Sequence, residues 1–228
     1  MGIFSSICSG ISAVCSSIGS IISTVAPALS VIAKPVLEIA KVVAEVVIGA
    51  VVQIVDGVAK ALGLVPEEIE SPDELGERAL QHPEMKPEDY DSYGDYIKAL
   101  EKADFDQEKF DNLSPDQRKA ALAVGCGIEA KAISEKMEMN IPMDFFVASA
   151  KGKMDPKDVC GLLNSMKANG ITDAGVFAQY TQGTLSPEGE QKLGPALADY
   201  EANGGKSIDS IQSDIDNKTL EKEAKTEG

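Results

Sequence analysis

Few residues of this chain have reaction chemistry open to them. His82 is the one side chain whose ordinary pKa suits proton transfer near neutrality. It stands alone in an acidic, proline-flanked stretch and reads as a loop residue rather than a general base. The carboxylate pairs Glu67/Glu68 and Glu88/Asp89 follow prolines, where acids suit helix N-termini. The four cysteines, Cys8, Cys15, Cys126 and Cys160, form no C-x-x-C pair, and one histidine leaves no zinc spacing. Cys8 and Cys15 lie about two helical turns apart, too far to bridge, so thiols of a reducing cytoplasm are expected. Two stretches imitate a calcium loop and then depart from it. Asp104-x-Asp106-x-Glu108 has Lys109 at the turn glycine and Pro115 at the terminal Glu. Asp199-x-Glu201-x-Asn203-Gly204 ends at Ser210, where a bidentate carboxylate is required. No catalytic set, metal site or cofactor is expected, and the chain reads as a non-enzyme.

The charge distribution says more. The 228 residues carry 37 acids and 21 bases, a net charge of −16. Residues 1–65 hold three acids (Glu38, Glu45, Asp56) and three bases (Lys34, Lys41, Lys60), so the whole net charge lies in the following 163 residues. Apolarity runs the other way, with 40 of the first 65 residues apolar against roughly a third afterwards. Nucleic acid would be repelled by the acidic portion, and no basic cluster interleaves with aromatics.

No charged side chain precedes Lys34. Phe4, Ile7, Ile11, Val14, Ile18, Ile21 and Val25 recur at alternating spacings of three and four, a heptad stripe, with Ser and Gly filling most positions between them. A helix whose remaining face is Ser and Gly can be buried on every side, and small residues allow close helix approach in lipid. Pro27 ends or kinks it. A second apolar helix is expected from about Pro35 to Leu64. On a 100° wheel Lys34, Glu38, Lys41, Glu45, Gly49, Gln53, Asp56 and Lys60 fall within a sector of about 100°, and the opposite face is Val, Ile, Leu and Ala. At the helical rise the stripe extends about 39 Å, more than the ~30 Å hydrocarbon core of a bilayer. Charges facing lipid would each cost ~2.5–3.5 kcal/mol near its centre. The stripe becomes tolerable where several helices turn it toward a shared aqueous lumen, so these eight residues are the candidate pore lining and the heptad residues the candidate helix-packing or lipid-facing set. A secretory signal peptide would want basic residues before its apolar core, yet the first Lys is at position 34. Met1-Gly2-Ile3-Phe4-Ser5-Ser6 also fits the N-myristoylation pattern.

Beyond Val65 the chain reads as short helices with strong start signals. Ser71-Pro72-Asp73-Glu74, Ser114-Pro115-Asp116, Asp155-Pro156-Lys157 and Ser186-Pro187-Glu188 each supply a cap, then proline at the first helical position. Helices are expected at roughly 72–81, 91–103, 115–138, 142–151, 156–168, 173–182, 187–202 and 207–223, with no convincing strand. Residues 66–116 hold 17 acids and 5 bases and read as an acidic helical connector. Residues 117–228 read as a small α-helical domain with a fraying charged tail. The fold class is therefore all-α: a long apolar hairpin over 1–65, packed with or followed by shorter acidic helices.

An N-terminal Ser/Gly-rich apolar helix (Ile3–Val25), a Val-rich helix (Val36–Leu64) and an acidic helical remainder resemble the small pore-forming antibacterial effectors of type VI secretion. The buried hairpin is also similar in principle to that of pore-forming colicins. The resemblance implies a toxin made in the cytoplasm, exported without a Sec signal and acting at the membrane of a target cell. It implies oligomerisation through the N-terminal helices, ion leakage, and as partners the lipid membrane, a secretion apparatus and a membrane-bound immunity protein. Two alternatives share parts of this pattern: a viral or phage membrane-penetration protein, myristoylated at Gly2, and a soluble helical interaction module in which the stripe is a dimerisation core.

Overall fold

A computed structural model describes residues 48–226, with side chains described over 49–217. The apolar helix expected over Ile3–Val25, and the second helix up to residue 47, lie outside the described residues. Within them the chain is all-α: α1 (Ile48–Ala61), α2 (Pro72–Gln81), α3 (Tyr93–Lys102), α4 (Gln107–Asp111), α5 (Pro115–Met137), α6 (Met143–Lys151), α7 (Pro156–Ala168), α8 (Gly175–Thr181), α9 (Pro187–Ala202) and α10 (Ile208–Thr226). A single 3-10 turn covers Pro87–Asp89, and the only extended pairing among the described residues is an isolated bridge between Asn140 and Asp173.

The helices start where the sequence places their caps. Ser92 accepts the Asp95 N–H at 3.1 Å, and Ser186 accepts that of Gly189 at 3.2 Å. Asp155 and Asp158 form a reciprocal capping box, as do Ser114 and Gln117. Ser71 departs from this scheme, for its hydroxyl makes no capping bond. Glu74 instead turns back to accept the Glu70 N–H at 3.0 Å. Helix ends follow a second rule, in which a residue in the left-handed region lets a 6→1 hydrogen bond close the last turn. Gly170 and Gly183 do this after α7 and α8, with Ile171 N–H bonding to the Met166 carbonyl and Thr184 N–H to that of Gln179. Glu138 (φ 52°) and Lys153 (φ 49°) do the same after α5 and α6, at the strain a side chain incurs there.

The described residues divide into two compact units, 62–132 and 49–61 with 133–226. The acidic helical stretch expected over 66–116 lies within the first of them. It contributes Ile69, Leu75, Ala79, Tyr96, Ile97 and Leu100 to a core, all buried. Apart from the buried Glu74 and Glu77, most of its acids are exposed.

In the first unit α2 packs on α3, and α2 crosses α5 at glycine. A side chain at Gly76 would put its Cβ 2.7 Å from the Ala121 carbonyl carbon and 2.8 Å from the Gly125 nitrogen. One at Gly125 would lie 2.6 Å from the Pro72 carbonyl carbon. These neighbours are backbone and cannot rotate away. From Ala120 to Ala130 every α5 residue but Leu122 is buried, Glu129 included, so this stretch has no solvated face.

In the second unit the principal helix pairs are α7 with α9, α6 with α8, α6 with α10, and α8 with α9. Phe145 is the centre of an edge-to-face cluster, 5.5 Å from Phe146 and 5.8 Å from Phe177 between ring centroids. Val159, Leu162, Leu163, Met166, Leu193 and Ile211 are also buried in this unit.

Replacing Gly125 with Ala should lower the unfolding free energy by about 2–3 kcal/mol, the upper range for overpacking, because both helix backbones must separate. Urea denaturation checks this; a loss below about 0.5 kcal/mol would mean the crossing opens freely.

Candidate functional site

Of the eight candidate pore-lining residues, four lie among the described residues, all on α1. Gly49, Gln53 and Lys60 are exposed and Asp56 is half-buried, whereas Val51, Ile54, Val55, Val58 and Ala59 are buried. The helical wheel therefore holds over this segment, with one polar face and one apolar face. Lys60 and Asp56 pair at 3.0 Å across one turn. Each Val or Ile taken from water contributes about 1.5–3 kcal/mol, so the apolar face holds α1 in place. At Gly57 the helix rests directly on the ring of Pro156, the first residue of α7. Lys34, Glu38, Lys41 and Glu45, and the heptad residues Phe4, Ile7, Ile11, Val14, Ile18, Ile21 and Val25, lie outside the described residues.

The residues with proton chemistry serve elsewhere. His82 caps the C-terminus of α2. Its Nδ1 lies 3.0 Å from a Glu84 carboxylate oxygen, and its Nε2 faces the Asp104 carbonyl. Both neighbours are acceptors, and only the imidazolium donates from both nitrogens. The bond to the Asp104 carbonyl, and next the Glu84 carboxylate, raise the His82 pKa above 6.5. Glu84 is lowered by its own backbone N–H and by His82. Beside this contact Gln81 donates to the Asp106 carbonyl and accepts the Asp106 N–H at 2.9 Å, so two successive residues pin the segment after α3 to α2.

One turn earlier, Arg78 pairs with Glu74 at 2.9 Å, donates to the carbonyls of Leu100 and Glu101, and stacks 4.3 Å over Phe105. Arg118 answers from α5, bound to Asp73 at 2.8 Å and to the Phe110 carbonyl at 3.1 Å, with its guanidinium 4.6 Å over Phe110. The two rings meet at 5.5 Å. An aromatic pair is thus capped at both ends by arginine. Reasoning on the sequence missed this arrangement, although a signal was present: Arg78 and Arg118 are the only arginines among 21 basic residues. The buried carboxylates of α2 are answered, Glu74 by Arg78 and Glu77 by Lys109 at 3.0 Å.

In the second unit Lys206 is the polar centre. Its ammonium donates to the Gly152 carbonyl and to Asp214, both at 2.8 Å, and so neutralises the end of α6. Lys153 and Lys206 together hold the Asp214 pKa at about 2. Tyr200 donates to Asp158 at 3.0 Å; burial, then the Asp158 charge, push its pKa up. Burial likewise raises the half-buried Cys160 thiol, which weakens it as a nucleophile. Of the two calcium-like stretches, Asp106 caps α4 by accepting the Lys109 N–H, and Asp199 accepts from Asn169 at 2.8 Å.

Among the described residues no group of His, Cys, Asp or Glu is placed to hold a metal ion, and no helix is long and apolar enough to cross a membrane. No protein-family model, curated protein or solved structure matches the chain.

The His82 contacts have a definite pH signature. Its raised folded-state pKa contributes stability that is complete below 6.5 and lost as pH rises through the folded value. The lowered Glu84 contributes stability present above its ordinary 4.5 and lost as pH falls through its folded value. Urea midpoints of wild type and His82→Gln should therefore differ most between these limits and converge toward alkaline pH, by about 0.5 kcal/mol given the solvent screening. A difference independent of pH would show that His82 acts there only as a neutral donor.

Proposed function

We propose that residues 1–61 form a conditional membrane-inserting element, and that copies of the chain oligomerise through it to let ions leak across a target-cell membrane. The observation that carries this reading is the confinement of charge. Residues 1–33 have none, and from Lys34 to Lys60 every charge falls in one sector. On α1 that sector is the solvated face, where Gln53, Asp56 and Lys60 sit opposite Val51, Ile54, Val55 and Val58. In a bilayer the same division places the apolar face toward lipid or a neighbouring helix and the polar face toward water, which avoids the cost of charges in hydrocarbon. The resemblance to type VI effectors points to a bacterial membrane as the target and to an immunity protein as the producer's protection.

A second reading, a soluble helical interaction module, is favoured by one observation. The apolar face of α1 is already buried, with Gly57 seated on Pro156, as a permanent core helix would be.

Planar-bilayer recording on the purified full chain separates the two. Discrete conductance steps are expected, abolished by Ile11→Asp with Ile18→Asp, and the Asp56→Lys variant should shift the reversal potential toward anions. A silent bilayer across pH and lipid composition would favour the interaction module. Steps with an unchanged reversal potential would remove Asp56 from the lumen.

A further inference from the structure

We infer that α1 is a detachable helix held by the second unit, a clasp whose release regulates the membrane activity proposed above; its purpose rests on that reading, while its existence does not. Three observations carry it. First, α1 belongs by its contacts with residues 133–226, although residues 62–132 separate them in the chain. No short loop ties it to the helices it joins, so removing it breaks no hairpin of that unit. Second, the remaining helices of that unit pair principally with one another. The pairs are α7–α9, α6–α8, α6–α10 and α8–α9, Phe145 of α6 meets Phe177 of α8, and Lys206 with Asp158, Tyr200 and Asp214 closes polar joints among them.

Third, the seat is specific and narrow. Gly57 stands against the Pro156 ring, and a Cβ added there would lie 2.8 Å from the Pro156 Cβ. Pro156 cannot turn aside, because its ring is covalently closed and it occupies the first position of α7 beneath the Asp155–Asp158 capping box. A glycine inside a helix weakens it relative to alanine, and here its absence of side chain is what allows docking. Gly49, just over two turns earlier, meets nothing within 4 Å, so the requirement is local to the seat. In the docked helix the apolar face, Val51, Ile54, Val55 and Val58, is buried, and that is the face insertion would need. Docking and insertion therefore compete for the same surface, and the helix cannot do both at once.

The test is hydrogen exchange by mass spectrometry on the full-length protein, comparing wild type with Gly57→Ala. Exchange over residues 49–61 should rise about tenfold or more in the variant, while peptides from 143–211 stay protected. A joint rise over both segments would make α1 part of the core, and no rise would make the seat irrelevant; either overturns the clasp. Wild type in low urea gives an independent reading, in which 49–61 should open before 143–211. A single shared transition would overturn the proposal even if the variant did not fold. Dye release from lipid vesicles is then measured on the same variant. Opening of α1 without a rise in dye release would leave the clasp standing and remove the membrane reading.

Discussion

The backbone contact between α2 and α5 sets the geometry of the first unit. Helices separated by ordinary side chains run 8–10 Å apart. Gly76 and Gly125 remove that spacer from both partners, and the helices meet carbonyl against amide. Such a crossing tolerates no rotation of α2, and three consequences follow from its fixed orientation. Arg78 points at the open carbonyls ending α3, Gln81 and His82 reach the segment leading into α4, and Asp73 meets Arg118 from α5. The Arg-capped pair of Phe105 and Phe110 sits between these arms. α4 is a five-residue helix with no buried residue of its own, so it depends on those arms for its position.

The second unit uses a different economy. Its helices are short, the reversals between them are made by left-handed residues, and Asp155 and Ser186 cap the starts of α7 and α9. Where glycine is absent, at Lys153, the strained backbone lies beside the densest ion pairing in the unit. Lys153 and Lys206 share Asp214, and Lys206 also binds the carbonyls of Gly152 and Lys153. Desolvated carbonyls at the end of α6 are thus met by a cation rather than by water, which fixes how α10 returns against α6. Among the described residues Glu74, Glu77 and Asp214 are answered by Arg or Lys, while most other acids are exposed to water.

How much of this could be read beforehand depended on the kind of signal. The starts at Pro72, Pro115, Pro156 and Pro187 were legible because cap and proline are local chemistry, and the structure begins helices at those residues. The apolar and polar faces of α1 were legible from period alone. The packing of residues 66–116 was not, since their net charge of −12 outweighed, on inspection, the spaced apolar residues Leu75, Ala79, Tyr96, Ile97 and Leu100. Nor was the glycine crossing, because Gly-Cys-Gly within an Ala-rich helix reads as weak helix until the partner Gly76, 49 residues away, is known to face it. Long-range partners such as His82 with Asp104, or Arg118 with Asp73, leave no periodic trace. The grouping of α1 with helices that begin far downstream leaves no such trace either.

The charge imbalance bears on how such a molecule would meet a lipid surface. All sixteen net negative charges lie beyond residue 65, whereas residues 1–65 are neutral. An anionic leaflet repels the acidic helices and is indifferent to the neutral segment, over a distance set by the Debye length, about 10 Å at 0.1 M salt. A polybasic anchor would act in the opposite sense, drawing the body down and weakening with salt. Here electrostatics opposes adsorption and the hydrophobic term must supply all the attraction, which requires an apolar face to be free. On α1 that face is buried in the fold, so under the proposed membrane reading exposure of apolar surface, rather than attraction of charge, would be the deciding step.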